Sequence, residues 1–158
     1  MLSTKLIQLI EDHWEGIVAR VLRQIREDAR LFHMRKLPDS ELRLWGQNIL
    51  KYLGHWLIES RDEEIAHRYE SQGRLRYQEA IPLHECVCTM ALLKQALLVY
   101  IRDAGVAQNI VELYAEEELE LSVGRFFDSA LYHMVRGYEG EMRKAVHITT
   151  TKATGTHA

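Results

Sequence analysis

The sequence predicts an all-α fold, a bundle of five helices with a long C-terminal helix. Apolar residues recur at intervals of three and four residues through most of the chain, which is the period of an α-helix. The two prolines, Pro38 and Pro82, both lie between these periodic segments. No stretch alternates apolar and polar residues for long enough to predict a β-strand.

The first two predicted helices lie on either side of Pro38. The first is predicted from Ser3 to about Arg30, because its apolar residues follow one helical stripe. The second is predicted to begin at Asp39, whose carboxylate can accept hydrogen bonds from the free amides of the first turn. Its apolar face continues to the neighbourhood of Glu59, where we expect the helix to end.

The third and fourth predicted helices lie on either side of Pro82. A capping box formed by Ser60 and Glu63 predicts the start of the third helix. This helix has few apolar residues, so we expect it to be the most solvated of the five. Pro82 suits the first turn of the fourth helix, and Gly105 is expected to follow its last turn.

The final helix is predicted over about Asn109–Lys144. At about 1.5 Å per residue it would be roughly 50 Å long, more than a compact domain of this size needs. Its middle, residues 125–139, is apolar nearly all round, so it must be covered on two sides. The chain's own domain can cover one side, and a second chain could cover the other. We therefore expect a homodimer. The domain is predicted to span residues 1–146, and residues 147–158 lack periodicity and are predicted to be a disordered tail.

Composition and charge narrow the classes of function. Twenty basic and 23 acidic residues give a net charge of −3, which argues against a nucleic-acid binder. No segment reaches the ~20 uninterrupted apolar residues of a membrane span. Acids at positions 11 and 12 argue against a signal peptide. We expect a cytoplasmic protein that binds neither nucleic acid nor a membrane.

The spacing of histidines and cysteines does not match a metal site. His55 lies one helical turn before a glutamate, but the further histidine pairs of a hemerythrin-like site are missing. Glu64 and His67 form half of a di-iron signature that requires two such motifs. Cys86 and Cys88 would point about 200° apart on a helix, too far apart to share one tetrahedral ion. The sequence also has no phosphate loop, nucleophile elbow or HExxH motif, so we expect neither a metal nor an enzyme.

The candidate functional residues lie in the apolar middle of the last helix. They are predicted to line either a ligand pocket or the dimer interface: Phe126, Phe127, Ala130, Leu131, His133, Met134 and Tyr138. His133 carries an alternative interpretation, because a histidine on an apolar, aromatic face can ligate haem iron. The chain would then be a haem-binding gas or redox sensor; otherwise no cofactor is expected.

An acidic segment precedes these residues. Residues 107–121 contain five acids and no Lys or Arg. The functional interpretation is a docking strip for a basic partner, formed by Glu112, Glu116, Glu117 and Glu120. The alternative is a solvated face near the start of a helix, where the helix dipole favours negative charge.

Short phrases along the chain resemble a type of bacterial sensory domain. They are residues 81–85 (IPLHE), 92–94 (LLK), 113–114 (LY), 125–131 (RFFDSAL) and 136–139 (RGYE). Residues 38–142 are similar to the helical domains that precede the output domains of stressosome co-antagonists and of some sensor histidine kinases. Related domains of the stressosome type have a globin-like fold, lack haem and form dimers. The resemblance therefore implies a non-catalytic sensory or regulatory domain that acts in stress-response signalling by homodimerisation and by binding a ligand or a signalling protein.

Overall fold

The computed structural model describes residues 2–59 and 62–155, and these residues form six α-helices and no β-strand. The helices are α1 (Leu2–Asp12), α2 (Trp14–Glu27), α3 (Asp39–Glu59), α4 (Asp62–Gln78), α5 (Leu83–Asp103) and α6 (Ile110–Gly155). Two short 3₁₀ turns, Ala29–Leu31 and Met34–Lys36, connect α2 to α3. The prediction of an all-α bundle with a long C-terminal helix is confirmed.

The first predicted helix is two helices, so the predicted number of five was too low. The chain bends at His13, whose φ of −117° and ψ of 20° lie outside the helical region. The hydrogen bond from the Ile17 amide to the His13 carbonyl is correspondingly long, at 3.4 Å. Both helices bury the same apolar stripe, with Ile10 before the bend and Val21 after it. Because the apolar stripe continues past His13 without interruption, the sequence pattern gives no sign of the bend and predicts one helix.

Other helix boundaries agree with the sequence. The helix α3 begins at Asp39 and ends at Glu59, and α5 begins directly after Pro82. Gly105 follows the last turn of α5 with a φ of 56°, a conformation that glycine adopts readily. The capping box predicted from Ser60 to Glu63 lies partly outside the described residues, which resume at Asp62.

The centre of the core is an aromatic cluster around Phe126 of α6. Its ring centroid lies 5.5 Å from that of Trp56 and 5.9 Å from that of Tyr69. Tyr52 and Phe127 complete the cluster at 6.1 and 5.4 Å. Since these side chains come from α3, α4 and α6, the cluster ties the C-terminal half of the bundle together.

Two glycines let α4 and α6 cross in backbone contact. A Cβ atom at Gly73 would lie 2.0 Å from the carbonyl oxygen of Met134, and one at Gly137 would lie 2.1 Å from that of Glu70. Any side chain at either position would force the two backbones apart. Although α4 is polar in composition, its packing against α6 is therefore the closest possible.

The helix α5 is long and apolar enough to cross a membrane, by length and composition alone. In the described structure it is a core helix that packs against α2 and α6. Its buried residues include Met90, Leu93 and Leu97. Core helices of bundles can have the same composition, so length and composition alone do not distinguish a core helix from a membrane-spanning one.

The last helix extends beyond the bundle. Gly137 is its last buried residue, and the helix continues to Gly155. The sequence predicts a disordered tail from residue 147, whereas residues 147–155 are helical in the structure. The hydroxyls of Thr149, Thr150 and Thr151 each donate to the carbonyl four residues earlier at 2.9 Å, within the helix. Residues 156–158 of the predicted tail lie outside the described residues.

Candidate ligand site between the third and fourth helices

A cavity of about 490 Å³ lies between α3 and α4 and is called here the α3–α4 groove. Its lining consists of apolar and polar side chains from these two helices: Glu41, Leu44, Trp45, Asn48, Ile49, Arg68, Tyr69, Ser71, Gln72, Leu75, Arg76 and Glu79. The volume lies within the range of small-molecule sites, which is about 300–1,000 Å³.

The groove exists because α4 packs against α6 rather than against α3. Gly73 faces the backbone of α6, and the opposite side of α4 carries the groove-lining residues Arg68 and Leu75. Among the described residues, the backbones of α3 and α4 stay apart, and their side chains meet at Tyr52, which lies against Tyr69 and Arg68. The space between them is therefore left open by the glycine crossing on the other flank.

Two buried polar side chains lie in the inner wall of the groove. Tyr69 is 1% exposed, and its hydroxyl has no hydrogen-bond partner in the described structure. Burial raises the pKa of Tyr69 well above its usual value, so the phenol is neutral. Arg76 is also buried, and its Nη1 donates to Glu79 Oε2 at 2.9 Å. A buried hydroxyl without a partner and a buried guanidinium are polar groups that a ligand can satisfy.

The rim of the groove combines exposed apolar and polar groups. Leu44 and Leu75 are both exposed at its mouth. Arg68 lies over the ring of Tyr52, with 4.3 Å between its guanidinium carbon and the ring centroid. This mixture suits a molecule with an apolar body and one polar end.

The structure places the candidate residues of α6 away from this groove. Phe126, Phe127, Ala130 and Met134 are buried in the chain's own core. Leu131 and Tyr138 are half-buried against that core. The core residues are covered by α3, α4 and α5, so they have no surface left for a second chain. The apolar run was recognised correctly, but the sequence does not reveal which neighbour covers it.

Two of the candidate residues have polar contacts within the chain. The hydroxyl of Tyr138 donates to the carbonyl oxygen of Ile81 at 2.7 Å. The Nδ1 atom of His133 lies 3.7 Å from Glu70 Oε1, and its ring stacks edge-on against Tyr132. These contacts do not test the haem alternative, which remains a prediction.

The predicted acidic strip is partly engaged within the chain. Glu112 Oε2 accepts from the Gln108 amide at 2.6 Å and so caps α6. Glu116 is buried, and Glu120 pairs with Arg102 at 3.2 Å. Glu117 is exposed. The four residues therefore do not form one continuous exposed surface.

Sequence reasoning missed a buried carboxylate at Glu85. Its Oε1 accepts from the amides of His33 and Met34 at 2.8 and 3.1 Å, and its Oε2 lies 2.6 Å from His33 Nδ1. This one side chain ties the start of α5 to the connection between α2 and α3. The helical spacing could have indicated its burial, because Glu85 lies on the same helical face as the buried residues Thr89 and Leu93.

The described residues include no group of three or more His, Cys, Asp or Glu side chains placed to hold a metal ion. Cys86 is buried and Cys88 is half-buried, and both are free thiols. Burial raises the pKa of the Cys86 thiol to about 11. At neutral pH it is therefore protonated.

Comparison with protein-family models, curated proteins and solved structures finds no match to this chain.

Proposed function

We propose that this chain is a non-catalytic sensory or regulatory domain of bacterial signalling that binds a small amphipathic molecule in the α3–α4 groove. We propose further that it works in the cytoplasm as a homodimer. The observation that carries the proposal is the groove, an apolar-walled cavity with a few polar groups at its wall and rim. The sequence resemblance to sensory domains supplies the signalling context.

The lining defines the class of ligand. Leu44, Trp45 and Leu75 offer an apolar surface for an aromatic or aliphatic body. The lining also carries Glu41 and Glu79, and Glu79 already accepts from Arg76. Arg68 and the remaining donors of Arg76 favour an anionic end such as a carboxylate, sulfonate or phosphate. The proposed ligand is therefore a small amphipathic anion.

The glycine crossing gives the groove a route to the rest of the chain. A ligand that parts or closes α3 and α4 must move α4, and α4 contacts α6 through backbone atoms at Gly73 and Gly137. No flexible side chain lies between the two backbones to absorb the movement. Binding in the groove would thus favour one of two packings of α4 on α6, which is how a ligand shifts a conformational equilibrium.

Dye binding tests the proposed site directly. Anilinonaphthalene sulfonate has an aromatic body and one sulfonate, and phenylnaphthylamine is its neutral counterpart. We expect the sulfonate dye to bind one site per chain with an increase in fluorescence, and Arg76→Met to weaken it several-fold more than the neutral dye. Equal effects on both dyes would contradict the anionic part of the proposal.

A matched pair of leucines locates the binding site. Leu44 lines the groove and is 56% exposed, whereas Leu113 lies at the start of α6 and is 49% exposed. Leu44→Gln is expected to weaken dye binding about tenfold, the loss of roughly one apolar side-chain contact. Leu113→Gln should leave it unchanged. If neither variant altered the dissociation constant, the dye would not occupy the groove.

The haem alternative has its own measurement. A strong visible absorbance band in the purified protein, lost in His133→Ala, would replace the proposal with a haem-binding sensor.

A further inference from the structure

The outer face of α6 carries a regular row of positions, all exposed except the half-buried Val135 and Glu139. Leu121 and Tyr132 lie on this face and are 66% and 58% exposed. The buried residues Leu119 and Ala130 lie on the opposite side of the helix. The row follows the alternating spacing of three and four residues that defines a coiled-coil seam, and it is called here the α6 seam: Val111, Tyr114, Glu118, Leu121, Arg125, Asp128, Tyr132, Val135, Glu139 and Met142.

Charge is distributed unevenly along the same helix. Residues 110–124 contain five acids and no Lys or Arg, whereas residues 125–155 contain five bases and three acids. Glu112 caps α6, Glu116 is buried and Glu120 pairs with Arg102, so the exposed acids of the first half are Glu117 and Glu118. The second half exposes the bases Arg136, Arg143 and Lys144. Two copies of such a helix attract each other when they run in opposite directions.

We propose that two copies of this chain associate antiparallel along the α6 seam, with the two-fold axis between Phe126 and Phe127. This inference rests on the homodimerisation part of the proposed function and specifies its surface and orientation. It replaces the interface first expected at the buried residues of α6.

The antiparallel register brings complementary residues together. Each layer of an antiparallel coiled coil pairs one position of the seam with a different position of the other helix. In this register Leu121 faces Tyr132 of the partner subunit, and Val111 faces Met142 of the partner subunit. Tyr114 faces Glu139 of the partner subunit and Glu118 faces Val135 of the partner subunit, so these layers each combine a charged and an apolar or aromatic side chain.

Arg125 faces Asp128 of the partner subunit, forming two polar layers at the centre. Such polar layers set the register at some cost in stability. Within its own chain, Asp128 Oδ1 also lies 3.7 Å from Lys94 Nζ.

A parallel, in-register dimer would have the opposite electrostatics. Each residue of the seam would face its own copy, so Glu118, Arg125 and Asp128 would all oppose like charges. Like charges at close range are destabilising. The seam therefore favours the antiparallel arrangement.

The antiparallel arrangement also gives α6 a partner beyond the bundle, as far as residue 143, which lies opposite Ile110 of the partner subunit. The bundle's own burial of the helix ends at Gly137, yet the helix continues well beyond it. Met142 then lies against the first turn of the partner's α6. The projecting end thus covers the exposed apolar start of the other copy, where Ile110 and Val111 are exposed.

Charge reversal at the centre tests the register. Arg125→Glu and Asp128→Arg each create repulsion across the axis, and each is expected to raise the dimer dissociation constant at least about tenfold, measured by sedimentation. An equimolar mixture of the two variants restores both attractive pairs and should form a heterodimer. Arg20→Glu reverses an exposed charge on α2, outside α6, and is the control. Unchanged dimerisation in both single variants would overturn the register.

A distance between labels tests the orientation. With Cys88→Ser in place and Cys86 buried, a nitroxide at Lys144→Cys labels the exposed end of α6. The antiparallel dimer places the two labels about 50 Å apart, given a rise of about 1.5 Å per residue. A parallel dimer places them within about 20 Å, since packed helices lie about 8–10 Å apart. The short distance would overturn the antiparallel seam but leave homodimerisation standing. A chain that stays monomeric at all concentrations would overturn both the antiparallel seam and homodimerisation. Dye binding would still test the α3–α4 groove independently.

Discussion

The two flanks of α4 differ in how closely they pack. On the flank facing α6, Gly73 and Gly137 bring the two backbones into contact. On the flank facing α3, larger side chains stand apart and leave a cavity of about 490 Å³. One helix thus has a flank that tolerates no added atom and a flank with room for a ligand. The comparison shows how a polar helix can be both a firm structural element and the wall of a binding site.

The largest expected effect comes from filling the closed flank. Gly73→Ala places a methyl group 2.0 Å from the Met134 carbonyl oxygen, so the two helices must separate. We expect a loss of about 3 kcal/mol in the free energy of unfolding, measured by urea denaturation. Because α4 would move toward α3, dye binding in the groove should weaken as well.

Gly124→Ala is the matched control for that variant. A Cβ atom at Gly124 of α6 would have no neighbouring atom within 4 Å. Alanine is the better helix former by about 1 kcal/mol, so this variant should be as stable as the original chain or more so. Equal destabilisation by both substitutions would mean that the crossing is not the tight contact described.

Glu85→Gln separates stability from binding. This substitution replaces a buried carboxylate that accepts from two backbone amides and does not line the groove. We expect a loss of about 2 kcal/mol in the free energy of unfolding. Dye affinity should be unchanged under conditions where the variant is folded. A parallel fall in dye affinity would show that the groove responds to stability alone.

Removing one tyrosine hydroxyl near each flank of α4 should change the free energy of unfolding by a smaller amount. Tyr138→Phe removes a hydroxyl that donates to the Ile81 carbonyl, and we expect a loss of about 1 kcal/mol in thermal or urea unfolding. Tyr69→Phe removes a buried hydroxyl without a partner in the described structure, and the change should be near zero or stabilising. The reverse order would indicate that the Tyr69 hydroxyl is already satisfied.

The smallest expected effect is the response to alkaline pH. Burial raises the pKa of Cys86 from 9.0 to about 11, so the thiol stays protonated in the folded chain where the unfolded chain ionises. The stability it contributes is complete below pH 9 and is lost as the pH rises toward 11. Cys86→Ala should therefore flatten the fall of unfolding free energy over this range. Cys88→Ala, at a half-buried thiol, should change the slope less.

Much of the fold could be predicted from the sequence, for identifiable reasons. Asp39, Pro82 and Gly105 mark helix ends, and the structure confirms these boundaries. The sequence predicts that the Asp39 carboxylate caps α3, whereas in the structure it accepts from Arg26 and the Leu42 amide donates to the Pro38 carbonyl. The bend at His13 could not be predicted, because the apolar stripe runs on through it. Residues 147–155 were predicted to be a tail because they lack periodicity, yet a helix that projects from the bundle needs no apolar face.

The groove could not be predicted, because it depends on which helices meet. Gly73 and Gly137 are 64 residues apart in sequence, and a glycine within a helix is by itself only a weakness. The apolar density around Phe126 identified a buried segment but not its neighbours. The residues that line the groove are a mixture of polar and apolar types, so their sequence pattern resembles that of an ordinary helix surface.

The most direct test of the ligand site follows backbone amide resonances during titration with anilinonaphthalene sulfonate. We expect shifts in the two stretches that line the groove, residues 44–49 and 68–76. We expect further shifts around Gly137, across the crossing on the other flank of α4. Shifts confined to other surfaces, or none at saturating dye, would contradict the claim that the groove binds a ligand and that α4 transmits its presence to α6.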